Sequence, residues 1–233
     1  MLVQFDQAAV DPLWSGLDFT IEPGEFIAVL GPNGVGKSTL LGTIMGTRKL
    51  TGGRVDVNCR YGYIPQQRMF PDNLPLRVRD LVSLSLAHGV FRKRAPSRVR
   101  VDELLDQVGA TGIADRSVGT LSGGQQQLVR QAQAMANDPQ LVLADEPLLS
   151  LDYARQQEVV EKLDRRRKEK DTAVLFVTHG INPILRVTDR VLYIAPHGHT
   201  IGSVRDVMRS DVLSALYNAR VDVVEVDGRL VVF

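Results

Sequence analysis

The segment Gly31-Pro32-Asn33-Gly34-Val35-Gly36-Lys37-Ser38-Thr39 constrains this chain more than any other feature. It fits the pattern G-x-x-x-x-G-K-[ST], and its flanks have the form that the pattern needs. Phe26 to Leu30, an apolar and β-rich run after the turn Pro23-Gly24, reads as a buried strand; Lys37 to Met45 reads as a helix. Gly31, Gly34 and Gly36 let backbone N–H groups converge on phosphate oxygens unobstructed by side chains, and the helix N-terminus adds favourable potential. The expectation is an α/β fold whose residues 31–39 cradle the phosphates of a nucleotide. Lys37 is expected on the β- and γ-phosphates, the Ser38 hydroxyl on Mg²⁺, and Thr39 behind it near the α-phosphate.

A second apolar run, Leu141 to Ala144, ends in Asp145-Glu146-Pro147. That ending puts two carboxylates at the carboxyl end of a predicted parallel strand, where α/β sheets bind ligands. Asp145 suits Mg²⁺ coordination, directly or through water, and Glu146 suits polarisation of the water that attacks the γ-phosphate. Later comes Leu121-Ser122-Gly123-Gly124-Gln125, with a helix predicted from about Gln125 to Met135. Backbone amides at Ser122, Gly123 and Gly124, with that helix's dipole, make a second natural phosphate site.

On these residues the chain resembles the nucleotide-binding subunit of an ATP-binding-cassette (ABC) transporter, over essentially its full length. Besides the phosphate loop, Asp145-Glu146 and Leu121 to Gln125 (the signature), Tyr63-Ile64-Pro65-Gln66 matches the family's Q-loop. Ser150-Leu151-Asp152 matches its D-loop and Val177-Thr178-His179 its switch histidine. The resemblance implies an α/β P-loop NTPase cassette with a helical subdomain and an N-terminal antiparallel β portion. It further implies ATP and Mg²⁺ as cofactors, and a second cassette, a homodimer being expected, packed head to tail so that each signature covers the nucleotide on the opposite phosphate loop. Asp152 would communicate across that interface, His179 would contact the γ-phosphate and hold water near Glu146, and Gln66 would couple Mg²⁺ binding to movement of the helical subdomain. The organisation expected is a first part of the ATP-binding core over 1–66, the helical subdomain with the signature over 67–134, the second part of the core over 135–200, and a C-terminal helix and β-hairpin over 201–233.

Several segments resemble the ATPase subunits of zinc and manganese importers: Tyr61 to Arg68, Pro75 to Asp80, Asp189 to Tyr193, and Leu213 to Tyr217 followed by a hairpin over Val221 to Val232. That group works with a membrane permease and an extracytoplasmic solute-binding protein, so the ATPase is placed at the cytoplasmic face of the membrane. The chain also departs from the family pattern. No aromatic residue for stacking on adenine lies in Ala8 to Leu13, which leaves Trp14 or Phe5 as substitutes. Gly180 stands where an aspartate is common, and Leu128 and Gln133 stand where arginine often does.

The bulk composition agrees with a globular enzyme. With 28 Lys plus Arg against 27 Asp plus Glu in 233 residues, the net charge of +1 offers no footprint for nucleic acid. Cys59 alone excludes an intrachain disulfide and reads as a packed strand residue. No stretch approaches about 18 uninterrupted apolar residues and the N-terminus lacks a secretion-signal pattern, so a membrane pathway would belong to another polypeptide. Residues 67 to 119 read as helical, with Val78 to Ala87 and Val101 to Val108 separated by the polar stretch Phe91 to Arg98. Arg92, Lys93, Arg94, Arg98 and Arg100 form a basic cluster, read as a solvated face with acidic lipid or a partner's loop as the alternative. Tyr153 to Lys170 is a charged amphipathic helix whose run Arg165 to Lys168 suits a solvated last turn. His197 and His199 are read as turn residues rather than metal ligands. A soluble ABC ATPase, or a weakly hydrolysing nucleotide-dependent binding module, is the alternative function. Lys37 to Leu121 carries no sustained heptads of the kind repair-type members need.

Overall fold

The computed structural model describes residues 1–66, 69–86, 97–149 and 151–233. Its strands are β1 (Val3–Val10), β2 (Trp14–Ile21), β3 (Phe26–Leu30), β4 (Gly52–Val57), β5 (Tyr61–Ile64), β6 (Leu141–Asp145), β7 (Ala173–Val177), β8 (Arg190–Ala195), β9 (Gly198–Gly202), β10 (Val223–Val226) and β11 (Arg229–Val232). Its α-helices are α1 (Lys37–Ile44), α2 (Val78–Leu86), α3 (Arg98–Val108), α4 (Gly123–Met135), α5 (Tyr153–Lys170), α6 (Val204–Val207) and α7 (Ser210–Tyr217).

The central sheet runs β5-β6-β7-β3-β8-β9, parallel except for β9, which pairs antiparallel with β8. β3, β6 and β7 are buried at every residue. Successive side chains on a strand face opposite ways, so a sheet covered on both sides demands an unbroken apolar run rather than alternation. Accordingly Phe26, Ala28, Val142, Ala144, Val174 and Phe176 pack into one core, which also takes in the buried faces of α2, α3, α4 and α5. Ile27, Val29, Leu141, Leu143, Leu175 and Val177 pack into a second core with α1, β1 and β2. β2-β1-β4 form a three-stranded antiparallel sheet, and β10-β11 a separate hairpin.

Several sequence expectations shift here. α4 begins at Gly123 rather than Gln125, because Ser122 and Gln125 form a reciprocal capping box that starts the helix two residues early. His199 lies in β9, and of the pair only His197 sits at the turn, since Ala195 pairs with Gly198. Burial holds the His199 imidazole below its ordinary pKa. Among the described residues no group of three or more His, Cys, Asp or Glu could hold a metal ion. Cys59 sits in the bend between β4 and β5 rather than in a strand. The run Arg165 to Lys168 is not simply solvated. Arg167 donates to Asp164, Asp189 and the Gly24 carbonyl, and Arg166 to Asp138 and the Pro139 carbonyl, tying the end of α5 to the sheet. Arg98 and Arg100 pair with Asp102 and Glu103 on the surface; Arg92, Lys93 and Arg94, like Gln67, Arg68, Ala87 and Ser150, fall outside the described residues. Among the described residues no helix is long and apolar enough to cross a membrane.

Candidate active site

The loop from β3 to α1 is shaped by its glycines. Gly31 has φ 138°, and a Cβ placed there would lie 1.9 Å from the Ile194 carbonyl oxygen on the neighbouring strand β8. Gly34 (φ 83°) and Gly36 (φ 95°) are left-handed, and Gly36 is the N-cap of α1. Val35 packs into the core beneath the loop while Asn33 and Gly34 are exposed above it. Lys37 is only 6% exposed; its Nζ donates to the carbonyls of Gly31 (2.7 Å) and Pro32 (2.8 Å). Burial lowers the Lys37 pKa, and the carboxylates of Glu146 and Asp145 act against that shift.

At the end of β6, Asp145 is 4% exposed and accepts from Ser38 Oγ at 3.0 Å and from Tyr63 OH at 3.4 Å. Burial pushes its carboxyl pKa up, the Ser38 hydrogen bond pulls it down, and the charge of Glu146 raises it again. Glu146 takes a left-handed backbone (φ 49°) and its N–H donates to Val177 O at 3.0 Å, which turns its side chain away from the line of β6. Its Oε1 lies 2.7 Å from His179 Nε2, and its Oε2 accepts from Gln66 Nε2 at 3.2 Å. Asn33, Gly34, Gly36, Lys37, Ser38, Thr39, Gln66, Glu146 and His179 thus line one cleft of about 640 Å³, together with Leu13 and Leu149.

A glycine cradle, a buried ammonium, and a hydroxyl and carboxylate in mutual contact fit a nucleotide's phosphates and the hard-oxygen preference of Mg²⁺. Ser38 and Asp145 could hold the cation, with Gln66 at the rim.

The structure does not bring Ser122, Gly123, Gly124 and Gln125 into this cleft; they start α4 elsewhere. The capping box engages Ser122 N–H with Gln125 Oε1 (3.2 Å) and Gln125 N–H with Ser122 Oγ (3.4 Å), while the amides of Gly123 and Gly124 stand at the helix start, where backbone donors lack intrahelical acceptors. Gly124 faces Arg155 and Leu151. Asp152, also outside the cleft, is the N-cap of α5 and accepts from Arg155 N at 2.9 Å.

Neither proposed substitute for an adenine-stacking ring is available. Phe5 is buried and stacks on Phe19, with centroids 4.5 Å apart, and Trp14 is buried with its indole N–H on the Gly36 carbonyl. Alternation along β1 and β2 sends both rings into the core, and Leu13 is the residue of that turn that reaches the cleft. Sequence reading missed Leu13 and also Tyr63 as a partner of Asp145. The first could have been found from the apolar residue next to Trp14, but nothing local in the sequence signals the second. Gln133 bonds Ser85 Oγ at 3.0 Å, joining α4 to α2, and Leu128 packs against the core.

Fold and site define a P-loop nucleotide-binding cassette. Residues 14–149 match the family model described as "ABC transporter", and the chain belongs to that family and is an ATPase of it. The zinc import ATP-binding protein ZnuC of Paracoccus denitrificans (strain Pd 1222) is 35% identical over 210 residues, covering 89% of this chain and 80% of that protein. The molybdate import ATP-binding protein MolC of Haemophilus influenzae (strain ATCC 51907 / DSM 11121 / KW20 / Rd) is 32% identical over 209 residues, covering 88% and 82%. Among solved structures, a protein described as a metal-chelate type ABC transporter in an inward-facing conformation superposes with a TM-score of 0.85 at 26% identity, covering 99% of this chain and 95% of that one.

Proposed function

We propose that this chain is the ATP-hydrolysing subunit of an importer for a divalent metal, manganese or zinc. The observation that carries the hydrolytic part of the reading is the meeting of Lys37, Ser38, Glu146, Gln66 and His179, from four separate segments, around one cleft, with Asp145 bonded to Ser38 beneath it. Residues 31–39 hold the phosphates of ATP, with Lys37 on the β- and γ-phosphates and Thr39 near the α-phosphate. Ser38, Asp145 and Gln66 hold Mg²⁺, which when bound neutralises charge on the phosphate oxygens. Glu146 orients and polarises the attacking water, and His179 keeps that carboxylate in place while reaching toward the γ-phosphate.

Because Ser122, Gly123, Gly124, Gln125 and Asp152 stand outside this cleft, their assignment to nucleotide requires a second cassette. Its signature would cover this chain's phosphate loop and make a head-to-tail homodimer. Gripping the γ-phosphate from both sides holds that dimer closed, and hydrolysis removes the contact and lets it open. Residues 1–66 and 135–200 serve as the ATP-binding core, 67–134 as the helical subdomain, and 201–233 as a C-terminal helix and hairpin. In this reading the subunit sits at the cytoplasmic face of the membrane against a permease, with an extracytoplasmic solute-binding protein delivering the metal. The zinc importer relative and the likeness to a metal-chelate type transporter support the cargo class.

The test is the zinc, manganese, iron and molybdenum content of native cells carrying wild-type protein or Lys37→Ala, grown with each element limiting. A selective fall in manganese or zinc, relieved by adding that metal, is expected. A selective fall in molybdenum would move the cargo to the oxyanion imported by the Haemophilus relative.

A further inference from the structure

The loop that carries His179 is held at its far end by the last secondary-structure element of the chain. Three residues beyond His179, the side chain of Asn182 makes two hydrogen bonds to one backbone position of the hairpin. Its Nδ2 donates to Leu230 O at 2.9 Å and its Oδ1 accepts from Leu230 N at 2.9 Å. A side-chain amide used in this way replaces a strand partner, and it pairs the outer strand β11 with the switch loop.

Of the two residues between His179 and Asn182, Ile181 is buried in the core and Gly180 is the position without side-chain packing. Gly180 has no side chain, and even a Cβ there would meet nothing within 4 Å. His179 is itself exposed. On its near side the loop is tied by Thr178, whose N–H donates to Val29 O at 3.1 Å and whose hydroxyl accepts from Gly180 N at 3.3 Å and donates to Gly180 O at 3.1 Å. On its far side Ile181 and Ile184 are buried, and Asn182 sits between them at the start of a single 3₁₀ turn. With glycine as the hinge, the direction of the imidazole depends on how firmly the two ends are held.

The hairpin does not depend on Asn182 for its own anchorage. Val221 N donates to Ser214 Oγ and Val223 N to Ser210 Oγ, each at 2.9 Å, which ties the chain leading into β10, and β10 itself, to α7. Tyr217 at the end of α7 meets Tyr193 of β8, hydroxyl to hydroxyl, at 3.0 Å. Val223 and Leu230 pack against the core. A hairpin braced in this way acts on the loop as a fixed post.

We propose that Asn182 is a positioning residue for hydrolysis, clamping the switch loop to the C-terminal hairpin so that His179 stays against Glu146. The inference rests on the role given to His179 above. It makes the hairpin part of the hydrolytic device, although no hairpin residue lines the cleft. Because Asn182 is also outside the cleft, its loss should alter turnover and leave nucleotide binding intact.

The experiment measures phosphate release against ATP concentration, with Mg²⁺ saturating, for the full-length wild type, Asn182→Ala, Asn182→Asp and His179→Ala, with the melting temperature of each. Asn182→Ala is expected to lose about tenfold in kcat with KM for ATP within about twofold, because a small misplacement of a reacting group costs rate rather than binding. Asn182→Asp keeps the acceptor for Leu230 N–H and loses the donor, so its kcat should fall between the two; it also carries the test if the alanine variant does not fold. A kcat for Asn182→Ala within twofold of wild type, while His179→Ala loses turnover, would overturn the clamp. So would a parallel change in kcat, KM and melting temperature, which would mark Asn182 as structural only. Full turnover in His179→Ala would instead remove the role of the switch histidine itself, and the clamp with it.

Discussion

His179 Nε2 lies 2.7 Å from Glu146 Oε1, and the other carboxylate oxygen of Glu146 accepts from Gln66 at 3.2 Å, so both oxygens are engaged. A carboxylate held at two points cannot rotate away from the position where an attacking water would sit. Replacing it with the isosteric amide keeps the shape and removes the charge. Glu146→Gln should therefore lower the rate of phosphate release by about a thousandfold, with ATP binding retained and an ATP-stabilised dimer accumulating. Size-exclusion chromatography with and without ATP, beside a phosphate-release assay, checks both parts. Equal rates in the two proteins would remove Glu146 from its role.

Asp145 carries a cost in the absence of a cation. Burial, with the charge of Glu146, holds its folded pKa above the ordinary 3.8 despite the hydrogen bond from Ser38. An acid whose pKa is raised by folding opposes folding at every pH above that raised value. The penalty fades as pH falls through it and is gone below the unfolded value. Asp145→Asn should accordingly melt higher than wild type at pH 7 without Mg-ATP, with the gap closing toward pH 4. It should also lose at least about a hundredfold in turnover, because a neutral amide is a poor Mg²⁺ ligand. Thermal melts across that pH range, with and without Mg-ATP, separate the two effects.

Two of the three loop glycines, Gly31 and Gly34, differ in a way that mutation can expose. At Gly31 a Cβ would collide with the Ile194 carbonyl at 1.9 Å, whereas at Gly34 it would meet nothing within 4 Å and only the left-handed φ of 83° is unfavourable. Gly34→Ala should cost about 1–2 kcal/mol and leave a folded protein. Gly31→Ala forces β3 and β8 apart and should cost about 3 kcal/mol or more, lowering the melting temperature by about 10 °C. Comparable melting temperatures for the two variants would contradict the close approach at Ile194.

How far the sequence could be read follows from how local each signal was. β3, β7 and α5 match their sequence-derived bounds, since continuous apolar runs mark doubly covered strands and a long charged amphipathic stretch marks α5. The cleft residues were legible because strand ends and tight turns deliver them. What escaped depends on contacts between distant segments. Tyr63 reaches Asp145 only because β5 and β6 are neighbours, and Asn182 reaches Leu230 only because the chain's end folds back. Trp14 and Phe5 misled because an aromatic ring in a sequence says nothing about which face of a strand it occupies. The basic run in α5 misled for the same reason: Arg166 and Arg167 are paired with Asp138, Asp164 and Asp189 from elsewhere in the fold or one turn away.

That arginine anchorage supplies a last expectation, on acid stability. Asp138 accepts from Lys170 and Arg166, which together hold its carboxyl pKa down to about 2 from the ordinary 3.8. An acid whose pKa is lowered by folding stabilises the native state above its unfolded value, and loses that contribution as pH falls through the folded one. The window therefore runs from about pH 4 to pH 2. Asp138 has a left-handed backbone (φ 47°), a conformation asparagine also tolerates, so Asp138→Asn removes the charge with little backbone penalty. The carboxylate is half exposed and solvent-screened, which limits the loss at pH 7 to under about 1 kcal/mol. Urea melts of wild type and Asp138→Asn should differ by that amount at pH 7 and converge by about pH 2. A difference that persists undiminished in acid would mean that the side chain acts through packing or turn geometry rather than through its charge.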